Sequence, residues 1–289
     1  MTRTDCTIIL GMHRSGTSVL TGCLNIMGAH LGQSLMAGSS SNEAGFFENR
    51  DIFLAHEILL RDLGCKWDMV GTLPQGWEDS PAALKAEETL ARIFQEQFLA
   101  QSATMAIKDP RMCRLMPVWR RVFTKLNVRP GLVLIVRHPM EVAKSLHKRN
   151  GFDLLKGHLL WLVHNQEALA ACRDFEHVVL TFDQVLAEPM VALECLNRLP
   201  SLSGLEPTAS MQDILRFTRP DLKHHHQDHV CRDEHEGFGQ YAWVYDQFRQ
   251  IQNRQRADLT ESISGSTNSA LAPLAETNVF FISPSFIGS

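Results

Sequence analysis

The stretch GMHRSGTSVL, Gly11 to Leu20, follows directly on the short apolar run CTIIL, Cys6 to Leu10. A glycine-bearing turn between a buried strand and a helix aims backbone N–H groups at whatever sits above the helix N-terminus, and anions bind there. The spacing of Gly11, Gly16, Thr17 and Ser18 is that of a Walker A loop, but Thr17 stands where the lysine of GK[ST] would be. Without that lysine a nucleoside triphosphatase loses the usual charge partner of its β and γ phosphates. The positive charge sits instead on Arg14, among the hydroxyls of Ser15, Thr17 and Ser18. That set suits a terminal group less charged than a γ-phosphate, such as a phosphosulfate.

A second constellation lies in VRHPMEVAKS, where Arg137 leaves the end of the apolar run LVLIV and Ser145 follows eight residues later. Pro139 is placed where the first turn of a helix accepts proline, so Ser145 falls about two turns on. Taken together, these residues resemble the PAPS-dependent sulfotransferase family (3′-phosphoadenosine 5′-phosphosulfate as donor), in its bacterial branch. HRSGTS is similar to the family's 5′-phosphosulfate loop, commonly PKTGTT or PRSGTT, with Arg14 on the basic position. Arg137 and Ser145 fall on the arginine and serine that hold the donor's 3′-phosphate. GFFENRDI (Gly45 to Ile52), WDM at Trp67, KDPRMCRLMPVW (Lys108 to Trp119) and FTRPDLKHHH (Phe217 to His226) extend the resemblance over residues 5–250. It implies a P-loop-like fold and PAPS bound by Arg14, Ser15, Gly16, Thr17, Ser18, Arg137 and Ser145, with Lys223 and His224 near the 3′-phosphate. The chain departs from the family at LTFDQVLAEP, where Phe182-Asp183 replaces a tyrosine-bearing segment and loses a phenolic hydroxyl.

Sulfuryl transfer needs a base for the acceptor's proton and a cation for the departing oxygen. Arg14 is the expected stabiliser. Glu48 is the first candidate base, because Phe46 and Phe47 would desolvate its carboxylate and raise its pKa; a solvated pair with Arg50 is the plain alternative. Asp109 is the second, projecting after the apolar MAI run, although pairing with Lys108 would spoil it as a base. Lys108 and Arg111 are expected to bind the acceptor or, equally, to form an internal ion-pair cluster with Asp109. Arg137 has its own plain reading, a surface pair with Glu141, and the hydroxyls of Ser15, Thr17 and Ser18 have theirs as helix caps. The run His224-His225-His226 invites a metal, but no cysteine pair or HExxH accompanies it, and no metal is expected. Trp67, Trp77 and Trp119 have two readings, lining an acceptor pocket or packing in the core, and the core is expected; the segment Leu154 to Ala171 needs only packing despite His158 and His164.

These residues must be positioned by repeated strand-to-helix units. CTIIL, the run Met105 to Ile107, LVLIV and the run Val178 to Leu180 each precede a turn and a plausible helix. Continuous apolarity rather than alternation predicts a parallel sheet covered on both faces, with ligands at the strands' carboxyl ends. The expected fold is therefore α/β and three-layered, a P-loop-like parallel β-sheet flanked by helices. About ninety residues separate the first two strands, too many for one crossover, and predict a helical insertion with helices near Asp51 to Leu63 and Pro81 to Ala100. Residues 1–258 are read as one domain, and 259–289, rich in Ser, Thr, Asn, Ala and Gly, as a loosely ordered tail.

The balance of 28 basic and 32 acidic residues, net −4, disfavours nucleic acid as a partner. Seven scattered cysteines read as reduced core residues, and the apolar run near the N-terminus is too short for a signal or a membrane span, so a cytoplasmic protein is expected. The expected acceptor is a carbohydrate or small molecule carrying a hydroxyl or amine; oligomeric state is not legible. Two other readings stand beside this one: a deviant P-loop kinase using ATP and Mg²⁺, and a catalytically silent nucleotide-binding protein.

Overall fold

The computed structural model describes residues 4–37, 45–100, 104–203, 205, 211–218 and 239–264, with the backbone alone at 240 and 256–264. Its centre is a parallel sheet of four strands, β1 (Thr4–Leu10), β2 (Ala106–Lys108), β3 (Val128–Val136) and β4 (His177–Thr181), in the order β2-β1-β3-β4. β1 lies beside β3 from Thr4 opposite Val128 to Leu10 opposite Leu134. The connection from β1 leads to one side of the sheet and that from β3 to the other. Their carboxyl ends therefore flank a crevice, the place where open parallel sheets bind ligands.

LVLIV is apolar throughout because both faces of β3 are covered. Leu132, Leu134 and Val136 pack into one helical layer with α2 (Arg50–Asp62), α3 (Pro81–Phe94), α4 (Met112–Leu126), α5 (Pro139–Asn150) and α6 (Leu154–Cys172). Val133 and Ile135 pack into the opposite layer with α1 (Thr17–Ile26), α7 (Phe182–Ala187), α8 (Pro189–Leu196) and α9 (Met211–Phe217). All five side chains are fully buried, and each contributes about 1.5–3 kcal/mol of hydrophobic stabilisation. The three-layer α/β architecture expected of the chain is the one it adopts. A last helix, α10 (Gly239–Ser264), covers the edge strand β4, where the Gln255 side chain accepts a hydrogen bond from Val179 N at 2.9 Å.

The insertion between α1 and β2 is helical as expected, but α3 ends earlier than its apolar spacing predicts. From Gln95 to Leu99 the chain widens into a π turn. That turn commits Gln97 to the far side of the insertion: its side chain accepts from Asn49 Nδ2 at 2.7 Å and donates to Asp51 Oδ2 at 2.5 Å, and its carbonyl bonds His30 Nε2 at 2.8 Å. Asn49 in turn caps α2, accepting from Asp51 N and Ile52 N at 3.1 Å each. The π turn thus anchors the start of α2, immediately beside Glu48. Trp77 and Trp119 are core residues as expected, whereas Trp67 is half-buried. Six of the seven cysteines are described, and all six are free and buried. α10 runs into the segment read as a tail; residues 265–289 lie outside the described residues.

Candidate functional site

The two motifs meet at the crevice. β1 ends at Gly11, whose φ of 153° and closeness to β3 exclude a side chain: a Cβ there would stand 2.5 Å from the Ile135 carbonyl oxygen. The turn that follows carries Arg14 at φ 70° and Gly16 at φ 92°, both left-handed, and α1 starts at Thr17. A left-handed arginine is a sparsely populated conformation that costs on the order of 1–3 kcal/mol, and such costs concentrate at ligand-binding loops. No side chain caps α1. The capping role open to Ser15, Thr17 and Ser18 is not taken up, which leaves the first N–H groups of α1 directed at the crevice.

From the end of β3, Arg137 donates through Nη1 to the Arg14 carbonyl at 3.3 Å and through Nε to Glu141 at 2.7 Å. The pair with Glu141 exists, but it is buried, not a surface contact. Ser145, two turns into α5, accepts from Arg14 Nε at 2.8 Å. Phe182 keeps an aromatic face beneath this group although it lacks a phenol. Its ring lies under the Arg137 guanidinium, 4.7 Å away, and against Gly16, where any Cβ would overlap it. Arg14 itself has its pKa lowered by burial and by the Arg137 charge. Among the described residues, two buried polar groups here have no hydrogen-bond partner, Ser15 Oγ and Arg137 Nη2. Two guanidinium groups, uncapped amides and orphaned donors in one place are chemistry that could hold a multiply charged anion.

The end of β2 supplies the second half. Lys108 does not pair with Asp109. Its ammonium donates to Glu48 Oε1 at 2.7 Å, Phe46 O at 2.8 Å and Ser18 Oγ at 3.1 Å. All three of its protons are thereby directed to protein acceptors, and it ties Glu48 to the anion loop. Glu48 is buried, not solvated beside Arg50. Burial pushes its pKa up, an effect to which the Asp109 charge adds, while Lys108 and Arg111 work against it. Phe47, just before it, is another non-glycine residue with positive φ, at 53°.

Asp109, the alternative base, is engaged otherwise. Its carboxylate accepts from Arg111 N at 2.9 Å, Arg111 Nη1 at 3.0 Å and His56 Nδ1 at 2.9 Å. Burial alone would raise its pKa, but Arg111 and His56 overcome that and hold it well below the usual carboxylate range. His56 Nε2 accepts from Trp119 Nε1 at 2.8 Å, which fixes the proton on Nδ1. So held, Asp109 is a weak base and a strong anchor for the loop. Arg111 also donates through Nε to Glu57 at 2.5 Å. Of the two expected roles for Lys108, Asp109 and Arg111, the geometry realises the ion-pair cluster, split into Lys108–Glu48 and Arg111–Asp109.

Sequence reasoning passed over two residues that border this cluster. His13 packs its ring 4.4 Å from that of Trp67, and burial together with the Arg111 and Arg149 charges lowers its pKa. Arg149 was findable: it stands four residues after Ser145, on the same face of α5. His158 and His164 each bond the carbonyl four residues earlier in α6, in keeping with packing roles. Lys223 and His224 to His226 lie outside the described residues. No group of three or more potential metal ligands occurs among the described residues, and no helix among them is long and apolar enough to cross a membrane.

No family model matches the chain, and no curated protein matches it. Similar solved structures include the sulfotransferase domain from the Synechococcus PCC 7002 olefin synthase, at 14% identity and a TM-score of 0.44 over 92% of this chain and 96% of that one. Another is the sulfotransferase domain from the curacin biosynthetic pathway, at 15% identity and 0.44 over 85% and 99%.

Proposed function

We propose that this chain is a sulfotransferase that moves a sulfuryl group from PAPS to the hydroxyl or amine of an acceptor. One observation carries the reading. Arg14 and Ser145, 131 residues apart in sequence, share a hydrogen bond of 2.8 Å, which unites the two anion motifs in one site. The orphaned Ser15 Oγ and Arg137 Nη2 beside them fit the donor's two anionic ends.

The donor supplies an activated sulfuryl group whose bond to the phosphate oxygen breaks as the acceptor oxygen takes its place. In this proposal the loop amides, Ser15, Gly16, Thr17 and Ser18 bind the phosphosulfate end, and Arg137 and Ser145 bind the 3′-phosphate. Arg14, at the junction of the two, neutralises charge on the leaving oxygen. Glu48 takes the acceptor's proton: burial raises its pKa toward the working range, and Lys108 fixes its direction. Nothing in this scheme calls for a metal ion.

Calorimetric titration with the desulfated product PAP tests the reading, with ATP plus Mg²⁺ run in parallel. PAP is expected to bind without metal, and Ser145→Ala is expected to weaken it about tenfold by removing one hydrogen bond to a charged group. Magnesium-dependent ATP binding with no response to PAP would overturn the proposal in favour of a kinase. PAP binding with no transfer to any acceptor supplied with labelled PAPS would favour a silent nucleotide-binding protein.

A further inference from the structure

We propose that Arg149 selects an acceptor bearing an anionic group, a carboxylate or phosphate, in addition to the hydroxyl or amine that is sulfated. The proposal rests on the sulfotransferase reading and concerns the acceptor half of that site.

Among the described residues, the buried and part-buried cations around Glu48 divide into those matched by a carboxylate or held in the anion loop, and Arg149. Lys108 is matched by Glu48, Arg111 by Asp109 and Glu57, and Arg137 by Glu141. Arg14 is hydrogen-bonded to Ser145 and belongs to the donor. Arg149 forms no ion pair among the described residues. Its Nε donates to the neutral amide oxygen of Asn150 at 2.6 Å, and its guanidinium lies 5.4 Å from the Trp67 ring centre.

The charges facing Arg149 come from three elements: Arg14 on the anion loop, Arg111 before α4, and Glu48 before α2. Two of the three repel it. Burial first, and then those two cations, push its pKa down to about 10, so it stays charged at neutral pH. A partly buried cation held among like charges is an arrangement that an incoming anion relieves.

Trp67 supplies the rest of a subsite. It is half-buried, with His13 of the anion loop 4.4 Å from it and Phe152 at 5.9 Å. It packs at the edge of the core and links the anion loop to Arg149. A guanidinium stacked on an indole keeps its edge donors for a planar oxyanion, and the neighbouring rings offer an apolar wall to the acceptor's carbon skeleton. The contact of Trp67 with His13, in the loop proposed to hold the phosphosulfate, and the Glu48 charge that faces Arg149 set the anion's site next to the transfer site rather than at a remote surface.

The test uses the protein saturated with PAP and three acceptor analogues alike but for charge: 3-(4-hydroxyphenyl)propionate, the matching phosphonate and the matching amide. Calorimetry is expected to show the two anions binding about tenfold more tightly than the amide or better. In Arg149→Gln the preference should vanish while amide and PAP affinities hold. A wild-type protein indifferent to the charge, or a preference that survives in Arg149→Gln, would overturn the proposal. So would loss of PAP affinity in Arg149→Gln, which would assign the arginine to the donor. Failure of the wild type to bind PAP, read before any analogue is added, would instead remove the sulfotransferase reading on which the proposal stands.

Discussion

Lys108 Nζ and Glu48 Oε1 lie 2.7 Å apart with their side chains only 2% and 7% exposed, and the same ammonium reaches Ser18 of the anion loop at 3.1 Å. One buried cation thus spans the carboxylate proposed as base and the loop proposed to hold the donor. Glu48 comes from the insertion and Ser18 from the first helix. Lys108, at the end of a three-residue strand, fixes their relation.

Removing that cation is expected to be costly. Lys108→Met leaves Glu48 buried without its partner and should destabilise the fold by about 3–5 kcal/mol in urea unfolding. Adding Glu48→Gln to Lys108→Met should return much of that loss, because no buried charge is then left over. In the enzyme assay Glu48→Gln should abolish transfer at every pH. Because Glu48 must be ionised to act, the rate should rise with pH through its raised pKa, and loss of Lys108 should move that limb to still higher pH. A double variant no more stable than Lys108→Met would break the assignment.

The buried imidazoles predict the behaviour in acid. Burial, together with the Arg114 charge, pushes the His164 pKa down to about 3, against the opposing effect of its bond to the Leu160 carbonyl. An unfolded imidazole titrates near ~6.5. Between those values the unfolded chain binds a proton that the folded chain refuses, so stability is full above about pH 6.5 and falls on acidification by up to about 1.4 kcal/mol per pH unit. His13, also lowered, adds to this effect, while Glu48, raised, opposes it. The urea midpoint should therefore drop between pH 7.5 and 5. His164→Asn, which can still donate to the Leu160 carbonyl, should narrow the drop; an unchanged difference would show that this imidazole is protonated in the fold.

Two glycines separate backbone strain from collision. Gly28 and Gly16 both have φ above 90°, but a Cβ at Gly28 meets nothing within 4 Å, whereas one at Gly16 enters the Phe182 ring. Gly28→Ala should cost about 1 kcal/mol, the left-handed penalty alone. Gly16→Ala should cost more and, by pushing Phe182 from under Arg137, should weaken PAP binding. Equal losses from the two, with PAP affinity intact, would detach Phe182 from the site.

Much of this arrangement was legible in the sequence because it is local. LVLIV had to be a strand covered on both faces, and the segments flanking Gly16 and Pro139 carried their turns in their own residue types. Arg14 followed from its turn, and Arg137 and Ser145 from the resemblance to the sulfotransferase family. What escaped was pairing between distant segments. Lys108 is adjacent to Asp109 in sequence, yet Lys108 ends β2 and Asp109 begins the turn after it, where Asp109 meets Arg111 and His56 while Lys108 turns to Glu48. The π turn at Gln95–Leu99 was invisible for the same reason: its cause is the hydrogen bonding of Gln97 to Asn49 and Asp51, not helix propensity. Arg149 has a local signal in its spacing from Ser145, but only the position of Trp67 gives it a role.

The strand order β2-β1-β3-β4 also bears on how a ribosome delivers this protein. β1 is made before either of its neighbours, and Asp5 waits 124 residues for Arg129, its partner across the β1–β3 pair. At about 5–20 residues per second that wait is roughly 6 to 25 seconds. Until β2 is made both edges of this apolar strand stand unpaired, and the β3 edge stays open to the end of the wait, so the loop at its end takes its shape only after the β3 segment has emerged, and the nascent chain offers chaperones an extended apolar segment until then.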